Sequence, residues 1–314
     1  MPSDQNTTMS LLTRTTDAFW GLLGPWAFLG SAAACLPRTI LSLVREGRLA
    51  VLLSPRALQD AWFGDFWGRV AGPGIRRDAA AHVVPLLSGR TSAGRVLDEP
   101  AAPALAGVVL EVGAGSGLWV DVFSKFVTAA AAADDDDDGS ASDVRRRGTG
   151  GAGVTRVYGV EPNRDQHPSL RRAIARAGLE DVYQIVPVGI EELDDGSKWE
   201  GRVEKGSVDC IVSVLCMCSI PDPEKNSREL YRYLKKGGRW YVYEHVRCEH
   251  SWYMKSYQRL VNVFWPHFLG GCTLCRQTEK TLREAGPWEK IDVGQPPIEP
   301  WYQVVPHILG VFTK

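Results

Sequence analysis

The run Val108-Val109-Leu110-Glu111-Val112-Gly113-Ala114-Gly115-Ser116-Gly117 carries the clearest chemical pattern in this chain. A β-branched apolar stretch meets an acid and then three alternating glycines, with helical patterning beyond. Glycines let a backbone turn sharply and approach a ligand closely, and a helix N-terminus behind them favours anionic groups. A dinucleotide fingerprint G-x-G-x-x-G would need glycine at 118, where Leu118 stands, which opposes a nicotinamide oxidoreductase. A second acid, Glu161, ends the next apolar run, Val157-Tyr158-Gly159-Val160-Glu161-Pro162-Asn163. An acid at that point is placed to accept hydrogen bonds from both hydroxyls of a ribose. Glu111 and Glu161 are 50 positions apart, and setting aside the 26 low-complexity residues 128–153 leaves 24, an ordinary βαβ step.

Three further places hold candidate chemistry. In Val186-Pro187-Val188-Gly189-Ile190-Glu191-Glu192-Leu193, Ile190 and Glu191 are candidates for the base edge of a nucleoside, with Glu192 competing. The run Ser207–Leu215 ends in Cys216-Met217-Cys218-Ser219, so Leu215 and Cys216 are expected to line the same ligand; the thiols read as lining before nucleophiles. His245 ends the fifth run and is the first candidate for a general base, because imidazole titrates near neutral pH; His307 and then His267 follow. Local hydrogen bonding that holds pocket walls is the competing role for these histidines. Cys272 and Cys275 form a C-x-x-C, but a structural zinc takes four ligands and no second pair stands at a matching spacing. Both read as small apolar residues, and no metal is expected.

The elements that position these residues alternate. Strand-like runs at 108–112, 156–161, 182–188, 208–215 and 239–245 are separated by helical patterning at 118–127, 168–178 and 223–236, the last ended by Gly237-Gly238. Such alternation implies a doubly wound α/β sheet with helices on both faces, which binds ligands at the carboxyl ends of its strands. The chain has 314 residues, 44% of them hydrophobic, enough for a large core; its net charge of −1 argues against a nucleic-acid partner. Seven scattered cysteines, with no cleavable secretory signal, suggest reduced thiols facing the cytosol.

Residues 1–57 form a hydrophobic N-terminal segment. Within it 18–37 lacks charge and is just long enough to cross a bilayer, although Gly21, Gly24, Pro25, Gly30 and Ser31 weaken it as a helix; 40–53 reads as an amphipathic helix. Spanning the membrane, lying on it and capping the domain stay open. Residues 58–106 read as a helical cap or linker, where Trp62, Phe63, Phe66 and Trp67 pack on the domain or wall a pocket. The catalytic domain is expected over 107–314, with a disordered insertion at 128–153 and an aromatic acceptor lid at 247–285.

The segments Leu215-Cys216-Met217-Cys218-Ser219, Lys236-Gly237-Gly238, Tyr243-Glu244-His245-Val246, Phe268-Leu269-Gly270-Gly271-Cys272 and Val305-Pro306-His307-Ile308 resemble the thiol S-methyltransferase branch of the methyltransferase-like proteins, and its fungal relatives still more closely. The resemblance covers roughly residues 107 to 314. It implies a Rossmann-like, mostly parallel seven-stranded sheet, S-adenosyl-L-methionine as cofactor, and methyl transfer to a small or medium-sized, apolar acceptor, a thiol before others. The implied cofactor residues are Glu111, Gly113, Gly115, Gly117, Glu161, Pro162, Asn163, Ile190, Glu191, Leu215 and Cys216. Animal members sit on endoplasmic reticulum and lipid droplets, which implies a cytoplasmic-face location and a membrane surface as partner; the chain itself is expected to be a monomer. The alternatives are an N- or O-methyltransferase of a fungal secondary-metabolite pathway, a phospholipid methyltransferase, and a membrane-tethered binding module without activity.

Overall fold

A computed structural model describes residues 11–127 and 153–314. The expected insertion, except for Gly153, lies outside the described residues. Seven strands form one sheet: β1 (Gly107–Val112), β2 (Val154–Val160), β3 (Tyr183–Val186), β4 (Val208–Val214), β5 (Leu234–His245), β6 (Lys290–Gly294) and β7 (His307–Thr313). Their spatial order is β3-β2-β1-β4-β5-β7-β6, and β7 alone runs opposite to the other six. The chain leaves β1 on one side for β2 and β3, then crosses back to β4. That reversal opens a crevice at the carboxyl ends of β1 and β4, where such sheets bind ligands.

β1 reads almost continuously apolar because both of its faces are covered. Val109 packs in one buried cluster with Phe123, Leu170 and Tyr183, while Leu110 and Val112 pack in another with Ile211 and Trp240. The covering helices are α1 (Leu11–Arg45), α2 (Pro55–Phe66), α3 (Gly72–Leu87), α4 (Val120–Phe123), α5 (His167–Ala177), α6 (Pro223–Tyr233), α7 (Trp252–Phe268) and α8 (Thr278–Arg283). Two boundaries differ from those expected. The helix after the glycine loop is a single turn, α4, so the loop's N–H groups come from turns and not from a long helix. Gly237-Gly238 does not end a helix but lies inside β5, where the pairing with β4 slips between Val208 and Cys210.

α1 is continuous through Pro25 and Pro37, although interior prolines and glycines weaken an isolated helix. Tertiary contacts hold it. Gly21 lies so close to the Tyr302 ring that a Cβ there would sit 2.6 Å from it. Trp26 Nε1 donates to Tyr257 Oη at 2.8 Å, and that hydroxyl donates to the Leu22 carbonyl at 2.6 Å. Trp62 Nε1 donates to the Ala32 carbonyl at 2.7 Å, and Phe28 stacks on Trp265. The helix is thus docked from Gly21 to Thr39, whose hydroxyl donates to Asp65. Its other side leaves Phe19, Trp20, Leu23, Leu41 and Val44 exposed.

Candidate active site

A cavity of about 450 Å3 opens beyond the ends of β1, β2 and β4, within the usual range for small-molecule sites. Gly113, Ala114, Gly115 and Ser116 form one side, and Glu161, Pro162 and Asn163 form the second. Gly189, Ile190 and Glu191 form the third, with Leu215 and Cys216 at the end of β4. Four strand ends bring these residues together because parallel strands deliver successive carboxyl ends to one edge of the sheet. Glu192 turns instead toward Lys198 on the surface.

Glu161 is the best-held polar group of the site. Its carboxylate accepts from Gly115 N–H at 2.7 Å and from Asn163 N–H at 2.8 Å, so it bridges the glycine turn and the end of β2. Burial pushes its carboxyl up to about 7, against those two N–H donors, and the Asp60 charge adds to the rise. A carboxylate with two oxygens has lone pairs left for two hydroxyls of a bound nucleoside.

Glu111 behaves differently. Alternation along β1 sends it to the side of Val109, among α4 and α5, whereas the cavity opens past Val112. There the Tyr183 hydroxyl donates a short hydrogen bond to its carboxyl. Tyr183 gets there by crossing β2 above Gly159, where an added Cβ would meet its hydroxyl at 2.1 Å. Glu111 therefore does not line the cavity, and its place beside the ligand, expected from the sequence, is corrected to a buried strut beneath the glycine turn.

Burial pushes the Glu111 carboxyl up to about 8, against the Tyr183 hydrogen bond, with the Glu161 charge adding to the rise. Raised in the fold from 4.5, this group keeps its proton while the unfolded chain loses it, so it favours the fold most below 4.5 and loses that advantage up to about 8. The melting temperature is expected to fall as pH rises across that window. Glu111→Gln, which keeps an acceptor for Tyr183 and cannot ionise, should flatten the fall in scanning calorimetry. An unchanged slope would refute the assignment.

The end of β4 is set by a residue absent from the candidates. Glu244, fully buried at the end of β5, accepts from Cys216 N–H and Met217 N–H, both at 3.2 Å, and from Cys216 Sγ. Leu215 just before takes a left-handed backbone, φ +55°, a conformation that costs a non-glycine residue about 1 kcal/mol or more. Burial, and the neighbouring Glu244 charge, push the Cys216 thiol well above its ordinary range, which suits a neutral lining group.

None of the three histidines proposed as a base lines this cavity. His245 is buried with its Nε2 3.2 Å from Cys272 Sγ. His307 stacks on Tyr243, holds its Nδ1 2.6 Å from Glu299, and borders another cleft. His267 is exposed. Of the expected aromatic lid, only Gly270 reaches the cavity among the described residues; Tyr257, Phe264 and Trp265 pack on α1 instead.

The missing wall comes from α2 and the π-turn after it. Phe63 and Trp67, stacked on each other, line the cavity with Asp60, while Trp62 and Phe66 are buried in the core behind them. Asn163 Nδ2 donates to the Asp60 carbonyl at 3.2 Å and ties α2 to the end of β2. Two buried polar atoms on the cavity wall, Ser116 Oγ and Asn226 Oδ1, have no hydrogen-bond partner among the described residues. Such groups are costly unless a ligand or water completes them. Together with Glu161 at one end and an apolar wall at the other, they fit a polar nucleoside that carries an amino-acid tail.

A family model described as a methyltransferase domain matches residues 75–285. Thiol S-methyltransferase TMT1A of Homo sapiens is 31% identical over 161 residues, which are 51% of this chain and 62% of that protein. Thiol S-methyltransferase TMT1B of Rattus norvegicus is 36% identical over 159 residues, again 51% of this chain and 62% of that protein. The match thus spans less than two thirds of either relative. Among solved structures, geranyl diphosphate methyltransferase in complex with SAM superposes with a TM-score of 0.45 at 13% identity, covering 76% of this chain and 84% of that one.

Proposed function

The chain belongs to the methyltransferase-domain family, with S-adenosylmethionine as its cofactor, and we propose that it moves the cofactor's methyl group onto the sulfur of a small apolar thiol. The observation that carries this reading is the division of the cavity. Charged side chains gather around the Glu161 end, where Asp60 lies beside it and Arg56 beside Asp60. The wall made by Phe63, Trp67, Leu215 and Ile220 is apolar, and no histidine lines it among the described residues.

When bound, the cofactor supplies an electrophilic methyl on a sulfonium whose leaving sulfur is neutral. The protein then has to align, exclude water and admit a nucleophile. Glu161 holds the ribose hydroxyls and fixes one end. The turn at Gly113–Ser116 brings the Ser116 hydroxyl, which has no hydrogen-bond partner among the described residues, to the other. Leu215 and Cys216, braced by Glu244, form the floor where an acceptor atom has to arrive. A thiol, with an ordinary pKa of about 8.5, ionises in water without a protein base, whereas an alcohol or protonated amine needs one. The two thiol S-methyltransferases that the chain resembles support the same acceptor class.

The docked α1 supports a location on a membrane surface. Its length and composition would suffice to cross a bilayer, yet only 22% of its apolar window is buried in the fold. Contacts from Gly21 to Thr39 hold it along the domain, which supports a helix lying in the interface with Phe19, Trp20 and Leu41 toward lipid over one that crosses. Residues 58–106 then act as part of the catalytic unit, because α2 closes the cavity. Product analysis with methyl-labelled cofactor against matched alkyl thiols, amines and phenols tests the acceptor: label is expected in the thioether. Label in the amine or phenol alone would replace the thiol reading.

A further inference from the structure

Behind the acceptor wall, three side chains from three distant parts of the chain converge. Cys218 follows β4, His245 ends β5, and Cys272 follows α7. Their sulfur and ring-nitrogen atoms all lie within 4.8 Å of one another, and all three residues are buried. We propose that Cys218, His245 and Cys272 bind a zinc ion whose fourth tetrahedral position is taken by a water molecule.

The geometry is close to what that ion requires. Zinc bonds of about 2.3 Å to sulfur and 2.0 Å to nitrogen place tetrahedral ligand atoms roughly 3.5–3.8 Å apart, and His245 Nε2 stands 3.2 Å from Cys272 Sγ. Small rotations of the side chains are enough to admit the ion between them. Two thiolates and a neutral imidazole are a donor set that selects a thiophilic d10 ion over magnesium or calcium. On binding, each thiol forms a sulfur–zinc bond and gives its proton to solvent. The divalent charge is then cancelled by two thiolates within the buried site.

The contacts around the trio leave room for this role. Cys218 Sγ has only long contacts elsewhere, 3.6 Å to Ser219 Oγ and 3.9 Å to the Leu215 carbonyl. Trp265 Nε1 donates to Cys272 Sγ at 3.3 Å, an N–H aimed at the sulfur as outer partners of metal thiolates are. His245 Nδ1 is buried with no hydrogen-bond partner among the described residues, so hydrogen bonding on both ring nitrogens does not account for burying this ring. Cys275, the other half of the C-x-x-C, stands outside the cluster, which is why pairing the two by sequence gave no site.

The position gives the ion a use. Cys216 and Ser219 flank Cys218 and line the cavity, as does Gly270 two residues before Cys272. A zinc here clamps the loop after β4 to the loop after α7, both of which reach the cavity.

The test uses the full chain, reduced and stripped with a chelator, then titrated with zinc and separately with cobalt(II). One zinc per chain is expected, and the cobalt form should show thiolate-to-metal charge-transfer absorption. Cys218→Ser and Cys272→Ser should each weaken zinc binding at least a hundredfold, while Cys275→Ser binds as the parent does. A reduced parent chain that takes up no zinc, or a cobalt form without the thiolate band, overturns the proposal without depending on any variant's folding. So does a Cys218→Ser chain that binds zinc as tightly as the parent.

Discussion

Replacing Glu161 by alanine is expected to weaken S-adenosylmethionine binding about a hundredfold. Hydrogen bonds to a charged group contribute about 1.5–3 kcal/mol each, and losing the pair to a ribose comes to about 3 kcal/mol after water takes their place. The substitution also frees Gly115 N–H and Asn163 N–H, which the carboxylate now holds at 2.7 and 2.8 Å. Glu161→Gln separates the two effects. It keeps one acceptor for the turn and removes the charge, so its loss should be smaller, near tenfold. Calorimetric titration with S-adenosylmethionine and S-adenosylhomocysteine reads both. A Glu161→Ala chain that binds either nucleoside as the parent does would remove the basis for placing the ribose here.

The same group gives that binding a pH dependence opposite to that of stability. Below about 7 the free site holds Glu161 protonated, because burial and the neighbouring Asp60 outweigh its two N–H donors. A bound diol prefers the carboxylate, so affinity should rise with pH through that region while Glu111 makes the fold itself less stable. In Glu161→Gln the rise should vanish.

Much of the sheet was legible because its buried strands announce themselves as β-branched runs, and because one strand–glycine–helix unit fixes where the next acid must stand. Glu161 reaches the cavity through that local logic, as do Ile190 and Leu215 at later strand ends. The rest depended on contacts that no local spacing encodes. Asp60 meets Asn163 only after α2 folds over the end of β2, 103 positions away in sequence. Glu111 carries the same motif position whether it faces a ligand or Tyr183, and the choice is made by a tyrosine 72 residues on and by the bare backbone of Gly159 that lets it pass. His245 looks like a base because it ends a strand; its neighbours Cys218 and Cys272 are invisible from that strand. Pro25 and the glycines around it argued against a long α1, and aromatic contacts with α7 overrode them.

Gly113→Ala should cost both stability and cofactor binding. The position has φ +69°, and an added Cβ would stand 2.5 Å from Cys216 Cβ, a distance that forces one of the two backbones to move. Neither moves easily: Gly113 N–H is bound to the Val160 carbonyl, and Cys216 N–H to Glu244. Strain of about 1–2 kcal/mol for the left-handed backbone and about 1–3 kcal/mol for overpacking give a destabilisation of about 4 kcal/mol, with cofactor binding lost at the same time. Two controls isolate the clash. Gly115→Ala shares the strained backbone, φ +55°, but its Cβ meets nothing nearer than 3.9 Å, so it should cost about 1 kcal/mol in stability. Gly178→Ala, at φ +64° with open space at the far end of α5, should cost as much and leave cofactor affinity unchanged. If Gly113→Ala melts and binds like those two, then the turn and the end of β4 are not pressed together as drawn. Adding Cys216→Gly to Gly113→Ala removes the opposing carbon, and recovery of cofactor binding in that pair is the outcome expected if contact between the two loops, and not strain at 113 alone, shapes the floor of the cavity.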